Sequence, residues 1–175
     1  MFIRFVSLTF VSLILFISIL SAQQPKNNPN WDSYHFLIGE WVGEGTGNPS
    51  QGAGGFSFSF DLQNRIVVRK SFADYPAVKG HPTFRHDDLM VMSQENNSTR
   101  AIYWDNEGHV INYTVEFSKD TNSVIFLSEL IPSSPRFRLT YTKAENSTMK
   151  ILFEIAPTGK PDSFTKYIEA TAHRK

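Results

Sequence analysis

The residues best suited to do chemistry lie in His81-Pro-Thr-Phe-Arg-His86-Asp87-Asp88-Leu-Met90. Read as a strand, this stretch puts His86 and Asp88 on one face with Met90 and Met92, and Arg85 and Asp87 on the other with Leu89 and Val91. An imidazole beside a carboxylate has its tautomer fixed, and can act as a base, a hydrogen-bond donor or a metal ligand. If the methionine face turns inward, the His86/Asp88 pair enters the interior near one mouth. If it turns outward, Asp88 merely holds a loop backbone and His86 packs on Phe84. The sequence leaves both readings open. His81, His86 and Asp88 could also supply metal ligands, but the loop between them leaves the geometry free, and no metal is expected.

Other side chains could join such a site. Arg69 and Arg138 could each anchor an acidic head group inside a barrel, or stand outside it paired with Glu154 or Glu129. Trp41, Tyr103, Tyr113 and Tyr141 are amphipathic rings suited to a pocket wall or to plain core packing. His109 follows the turn Asn106-Glu107-Gly108, and could reach the same mouth as His86. Motifs with a defined reaction are missing: there is no Gly-x-Ser-x-Gly, no His-Glu-x-x-His and no Walker loop. Ser147-Thr-Met-Lys150 fits Ser-x-x-Lys but straddles a turn, so it carries no role. The chain has no cysteine, which removes a thiol nucleophile.

The elements that must position these groups are strands. From Gly39 onward ten segments alternate with turn residues: roughly 39–47, 54–62, 65–73, 84–93, 99–105, 109–118, 122–130, 135–143, 148–156 and 163–173. Phe56, Phe58 and Phe60 line one face, with Ser57 and Ser59 opposite. Ile111, Tyr113, Val115 and Phe117 oppose Asn112, Thr114 and Glu116, and Phe137, Leu139 and Tyr141 oppose Arg136, Arg138 and Thr140. Most gaps are two to five residues, which demands antiparallel neighbours, since parallel crossovers need a dozen or more. The fold class is therefore all-β: a ten-stranded antiparallel up-and-down barrel, with a two-layer sandwich as rival. Two longer Gly/Pro-rich gaps, 48–53 and 74–83, could form a lid. Asn30 is placed to cap a short helix, with Trp31, Tyr34, His35 and Ile38 on one face, closing one end of the barrel.

The opening strand, Phe36-Leu-Ile-Gly-Glu-Trp41-Val-Gly-Glu-Gly45, has one large ring among glycines at 39, 43, 45 and 47. It resembles the leucine-x-glycine-x-tryptophan-x-glycine-x-glycine strand of the nitrobindin-like haem barrels, and is similar to exported bacterial lipocalin-like families of the same ten-stranded layout. The resemblance implies a calycin-type barrel with a central cavity. Nitrobindins place a haem-ligating histidine in the last strand; the corresponding Phe164-Thr-Lys-Tyr-Ile-Glu-Ala-Thr171 has none, so neither haem nor another cofactor is expected.

Residues 1–22 read as a signal peptide: Arg4, an apolar run from Phe5 to Leu20, then small residues at Ser21-Ala22. The alternative is an uncleaved anchor, but the run falls short of a membrane span, so no lasting anchor is expected. Residues 23–30 form a polar linker, and 31–175 a single domain. With 175 residues and 41% hydrophobic content the chain can bury one sizeable core, and 15 Phe, 6 Tyr and 3 Trp favour strands over helices. Zero formal charge offers no basic face for nucleic acid. Absence of cysteine beside an export signal points to a bacterial periplasm or a secreted bacterial protein. The Asn-x-Ser/Thr triplets at Asn96, Asn97, Asn112 and Asn146 matter only in a glycosylating host. The expected function is binding of a small apolar or amphipathic molecule in the barrel, and the alternative is an enzyme using His86 and Asp88 as general acid and base.

Overall fold

The computed structural model describes residues 29–43, 53–77, 80, 82–96, 98–145 and 147–175. The signal peptide read at 1–22, most of the linker, Gly45, Gly47, the loop 48–52, His81, Asn97 and Asn146 lie outside the described residues.

Ten strands form a closed antiparallel barrel in up-and-down order. They are β1 Gly39–Gly43, β2 Ala53–Asp61, β3 Ile66–Tyr75, β4 Phe84–Glu95, β5 Ser98–Asp105, β6 Val110–Phe117, β7 Ser123–Ser128, β8 Arg136–Lys143, β9 Thr148–Ala156 and β10 Thr165–Arg174. Each strand pairs with the next, and β1 pairs with β10 through Trp41 opposite Arg174 and Gly43 opposite Ala172. Closure leaves no open edge, which rules out two stacked layers. One glycine makes the neighbouring β2–β3 ladder possible: a Cβ on Gly54 would lie 2.3 Å from the Phe72 carbonyl oxygen, so β2 and β3 could not approach as they do. Among the described residues no helix is long and apolar enough to cross a membrane.

Side-chain parity follows the alternation read from the sequence. Phe58, Val67, Met90, Met92, Tyr113, Phe126, Tyr141 and Met149 are all buried inside. The methionine face of β4 is the inner one, which carries His86 and Asp88 inward with it. The middle of the barrel is not hollow. Tyr141 meets Phe56, Phe58 and Phe126 at centroid distances of 5.5, 5.4 and 5.9 Å, mostly edge-on as aromatic quadrupoles prefer. These rings fill at mid-height the space that a central cavity would need.

One end is closed by a single 3-10 turn, Asp32–Tyr34. The buried set is Trp31, Tyr34 and Leu37, spaced three apart as a 3-10 turn requires, and His35 stays exposed. Asn30 does act at its start, its Oδ1 accepting the Asp32 N–H at 2.9 Å. The turn is pinned by Trp31 Nε1–H donating to Asn64 O at 2.9 Å and by the Tyr34 hydroxyl donating to Thr99 at 2.8 Å. Arg174 completes the cap: its guanidinium lies over the Trp41 ring and donates to the carbonyls of Ile38 and Phe36. Two grooves of about 790 and 540 Å³ flank the turn. The opposite end, formed by the connections after β3, β5, β7 and β9, is the mouth that carries the ionisable cluster.

Candidate functional site at the barrel mouth

Strand β4 delivers Asp88 and His86 to the interior in that order towards the mouth, and β3 brings Arg69, opposite Met90 and one inward position deeper than Asp88, against them. Arg69 is only 8% exposed and forms an ion pair with Asp88 inside the barrel. Its guanidinium also stands 5.7 Å from the Phe56 ring centre and 5.9 Å from that of Tyr141. Burial alone would lower the Arg69 pKa. The neighbouring Tyr141, Asp88, Tyr103 and Tyr113 outweigh it and hold the group above its ordinary value, so the guanidinium stays charged. Arg69 Nε and the Tyr141 hydroxyl are buried without a hydrogen-bond partner. Tyr141 is pushed up to about 12 by that burial, against the pull of the Arg69 charge.

Above this pair the hairpin between β5 and β6 folds back over β4. Asp105 accepts the backbone N–H groups of Glu107 and His109 through Oδ1, at 3.0 and 2.9 Å, and Gly108 takes a φ of 92° that suits glycine. Asn106 docks the turn: its amide donates to Arg85 O at 2.8 Å and accepts from the Asp87 N–H at 3.1 Å. The result sets Glu107 Oε1 2.8 Å from His86 Nδ1. The other ring nitrogen, Nε2, faces the Tyr103 hydroxyl at 3.1 Å and Asp88 Oδ2 at 3.7 Å. The Tyr103 phenol has one proton and two acceptors in reach, His86 Nε2 and Asp105 Oδ2 at 3.2 Å. Burial first, then the charges of Asp88 and Asp105, raise the Tyr103 pKa far above its usual value, and the phenol keeps that proton. His109 Nδ1 lies 2.8 Å from Asp105 Oδ2. Burial opposes ionisation of Asp105, but its bonds from His109 and Tyr103 prevail and hold its pKa below the usual carboxylate range.

The expected site residues therefore divide. Arg69, His86, Asp88, Tyr103, Tyr113 and Tyr141 belong to one continuous interior running towards the mouth, whereas His109, its side chain 62% exposed, stands on the rim and reaches the cluster only through Asp105. Asp88, however, is committed to Arg69, and the close carboxylate partner of His86 is Glu107. Arg138 faces outward, clamped on Glu154 at 2.6 and 2.7 Å with its guanidinium 4.2 Å from the Phe164 ring centre. Of the two places the sequence allowed it, the ion pair outside the barrel is the one found. Trp41 sits towards the capped end, its Nε1–H donating to Leu37 O at 2.8 Å, and lines the larger groove beside the turn rather than the mouth. Asp105 and Glu107 are the members the sequence reading missed. The spacing Asp105-Asn-Glu107-Gly-His109 held the signal, three ligand-type side chains on one tight turn.

Across the mouth from this cluster the wall is apolar. Phe137 and Phe153 stack at 6.0 Å with planes 12° apart, and the Tyr167 ring meets Phe153 edge-on at 6.1 Å. Phe153 pairs with Ile168 across the β9–β10 seam, where a bulge between Lys166 and Ile168 turns Tyr167 towards Phe153. These side chains face inward yet are not fully covered: Phe137 and Phe153 are half-buried, Ile168 is 40% and Tyr167 68% exposed.

The inward positions of β10 are Ile168, Ala170 and Ala172, none of which can ligate iron, and His173 alternates with buried Ala172 to lie on the other face. The family models contain no match to the chain, and no curated protein sequence matches it.

Proposed function

We propose that the protein binds a small amphipathic molecule in the mouth of its barrel, the apolar part on Phe137, Phe153, Tyr167 and Ile168 and the polar part towards His86, Tyr103 and Glu107. One observation carries this reading: inward-facing apolar side chains stay partly exposed on one wall, directly across from a polar wall. A barrel evolved only for stability would close such a gap with bulkier neighbours, because each uncovered aromatic forgoes on the order of 1–2 kcal/mol of burial. The ring-filled middle sets the depth, so the ligand is short or inserts only one end. Arg69 is already neutralised by Asp88, which favours a head group without a full negative charge over a carboxylate. The signal peptide read at residues 1–22 would deliver the barrel to a bacterial envelope, where such ligands are traded between membranes and solution.

The test is native mass spectrometry of protein purified from an exporting host, followed by titration of the delipidated protein with an uncharged lipophilic dye. Stoichiometric dye binding that weakens about tenfold in Phe153→Ser, and not in the outward-facing Trp104→Ser, is expected. Equal loss in both variants, or no saturable binding, would remove the mouth as a ligand site.

The second reading is general acid–base chemistry, favoured by the His86–Glu107 contact of 2.8 Å beside a protonated Tyr103. In that case the base pair is His86 with Glu107, not His86 with Asp88.

A further inference from the structure

The geometry points to a divalent metal site at the mouth, formed by His86, Asp105 and Glu107. One ligand atom from each lies within 4.8 Å of the other two. Ligands at about 2.0–2.2 Å around a tetrahedral ion stand about 3.3–3.6 Å apart, so closing the set needs side-chain rotations of about an ångström. Glu107, half-exposed on the turn, is free to make them, while Asp105 is only 4% exposed and already held in place.

Charge balance supports a cation here. With neutral imidazoles the three groups carry two negative charges. Among the described residues no Lys or Arg forms an ion pair with Asp105 or Glu107; the one buried guanidinium nearby, Arg69, is taken by Asp88. Arg85 is turned outward, to Asp74 and Asp87. A divalent ion would cancel the mouth's charge and replace contacts now made by shared protons. Outer partners are also present. His109 Nδ1–H donates to Asp105 Oδ2, and backbone N–H groups fix Asp105 Oδ1, which is how ligating carboxylates are commonly oriented.

The donor set selects the ion. One imidazole with two carboxylates suits Zn²⁺ or a neighbouring transition metal, whereas Ca²⁺ and Mg²⁺ prefer all-oxygen shells. Three protein ligands leave a fourth position for water or a ligand head group. This inference stands apart from the amphipathic-ligand reading, since metal binding can be measured on delipidated protein with no organic ligand present.

The experiment is calorimetric titration of the chelator-stripped protein with Zn²⁺, with Ca²⁺ and Mg²⁺ as comparisons, and a Co²⁺ titration read by visible absorption. One Zn²⁺ per chain is expected, far tighter than Ca²⁺ or Mg²⁺, with the intense visible bands of low-coordinate cobalt. His86→Ala and the conservative Glu107→Gln should each weaken binding by more than the roughly 10–100-fold typical of losing an outer partner. Asp120→Asn, on the β6–β7 connection at the capped end, should leave it unchanged, and Glu107→Gln on the exposed turn guards against misfolding of the His86 variant. Failure to bind one equivalent, equal affinity for Ca²⁺, or indifference to Glu107→Gln would overturn the proposal.

Discussion

Asp88 accepts from Arg69 inside the barrel, and this single pairing leaves His86 to be oriented by Glu107 on the opposite hairpin. A buried guanidinium must have its counter-ion, because an isolated charge in a low-dielectric interior is very costly. Asp88→Ala should therefore destabilise the barrel by about 3–5 kcal/mol, seen as a lower urea midpoint. The double substitution Arg69→Met/Asp88→Leu should recover most of that loss, because it removes both charges and keeps the volume. If Asp88→Ala alone cost under about 1 kcal/mol, the pair would be solvated rather than buried.

Asn106 is the residue that converts a hairpin into half of a site. Its side chain bridges Arg85 O and the Asp87 N–H, and its own N–H reaches Asp87 O at 3.0 Å. Asn106→Ala should cost about 1–2 kcal/mol through two lost hydrogen bonds. It should also free Glu107 from His86, moving the ring nitrogen chemical shifts of His86 in an NMR spectrum while those of His35, at the far end, stay put. Unmoved His86 resonances would mean that the turn holds its place without the bridge.

How much of this was legible depends on parity and register. Phe137-Arg138-Leu139 and the flanking residues alternate so regularly that Arg138 had to point away from Leu139, hence outward. Ile66-Val67-Val68-Arg69 does not alternate, so nothing local told that Arg69 follows Val67 inward. For β4, the methionines at 90 and 92 identified the face to watch but not its direction; only closure of the barrel decides it. Asp105 and Glu107 were hidden for a different reason. They read as turn punctuation, and their meeting with His86 depends on Asp88 lying opposite Asp105, a cross-strand register set by the whole β4–β5 ladder. The capping turn was visible as a segment, but a 3-10 spacing of three was read as a helical one of three and four. Ring packing at mid-height was not legible at all, since alternation shows which side chains face inward and not whether they meet across the centre.

The glycine seam gives a sharp comparison. A Cβ on Gly54 meets the Phe72 carbonyl oxygen at 2.3 Å, and backbone cannot step aside, whereas a Cβ on Gly43 meets the Gly54 oxygen at 3.3 Å, a contact that small shifts relieve. Gly54→Ala should cost about 1–3 kcal/mol or more, and Gly43→Ala clearly less, in matched thermal unfolding curves. The reverse order would mean that β2 and β3 are not held together as described.

Five tyrosines have pKa values raised in the folded barrel: Tyr34, Tyr75, Tyr103, Tyr113 and Tyr141, each chiefly by burial. The folded state therefore holds its phenolic protons more tightly than the unfolded chain, whose tyrosines titrate near 10. Below pH 10 both states are protonated and the contribution is intact. Between pH 10 and the folded values the unfolded state loses protons that the folded one keeps, so stability falls as pH rises. Tyr141, pushed up to about 12 and fully buried, accounts for on the order of 3 kcal/mol of that fall. The expected result is a cooperative alkaline unfolding above pH 10, with phenolate absorbance appearing in step with loss of strand signal. Tyr141→Phe should shift that transition to higher pH, since it removes a titrating group and leaves the rings of Phe58 and Phe126 packed. Phenolate forming smoothly ahead of unfolding would show that these hydroxyls are open to water in the folded barrel.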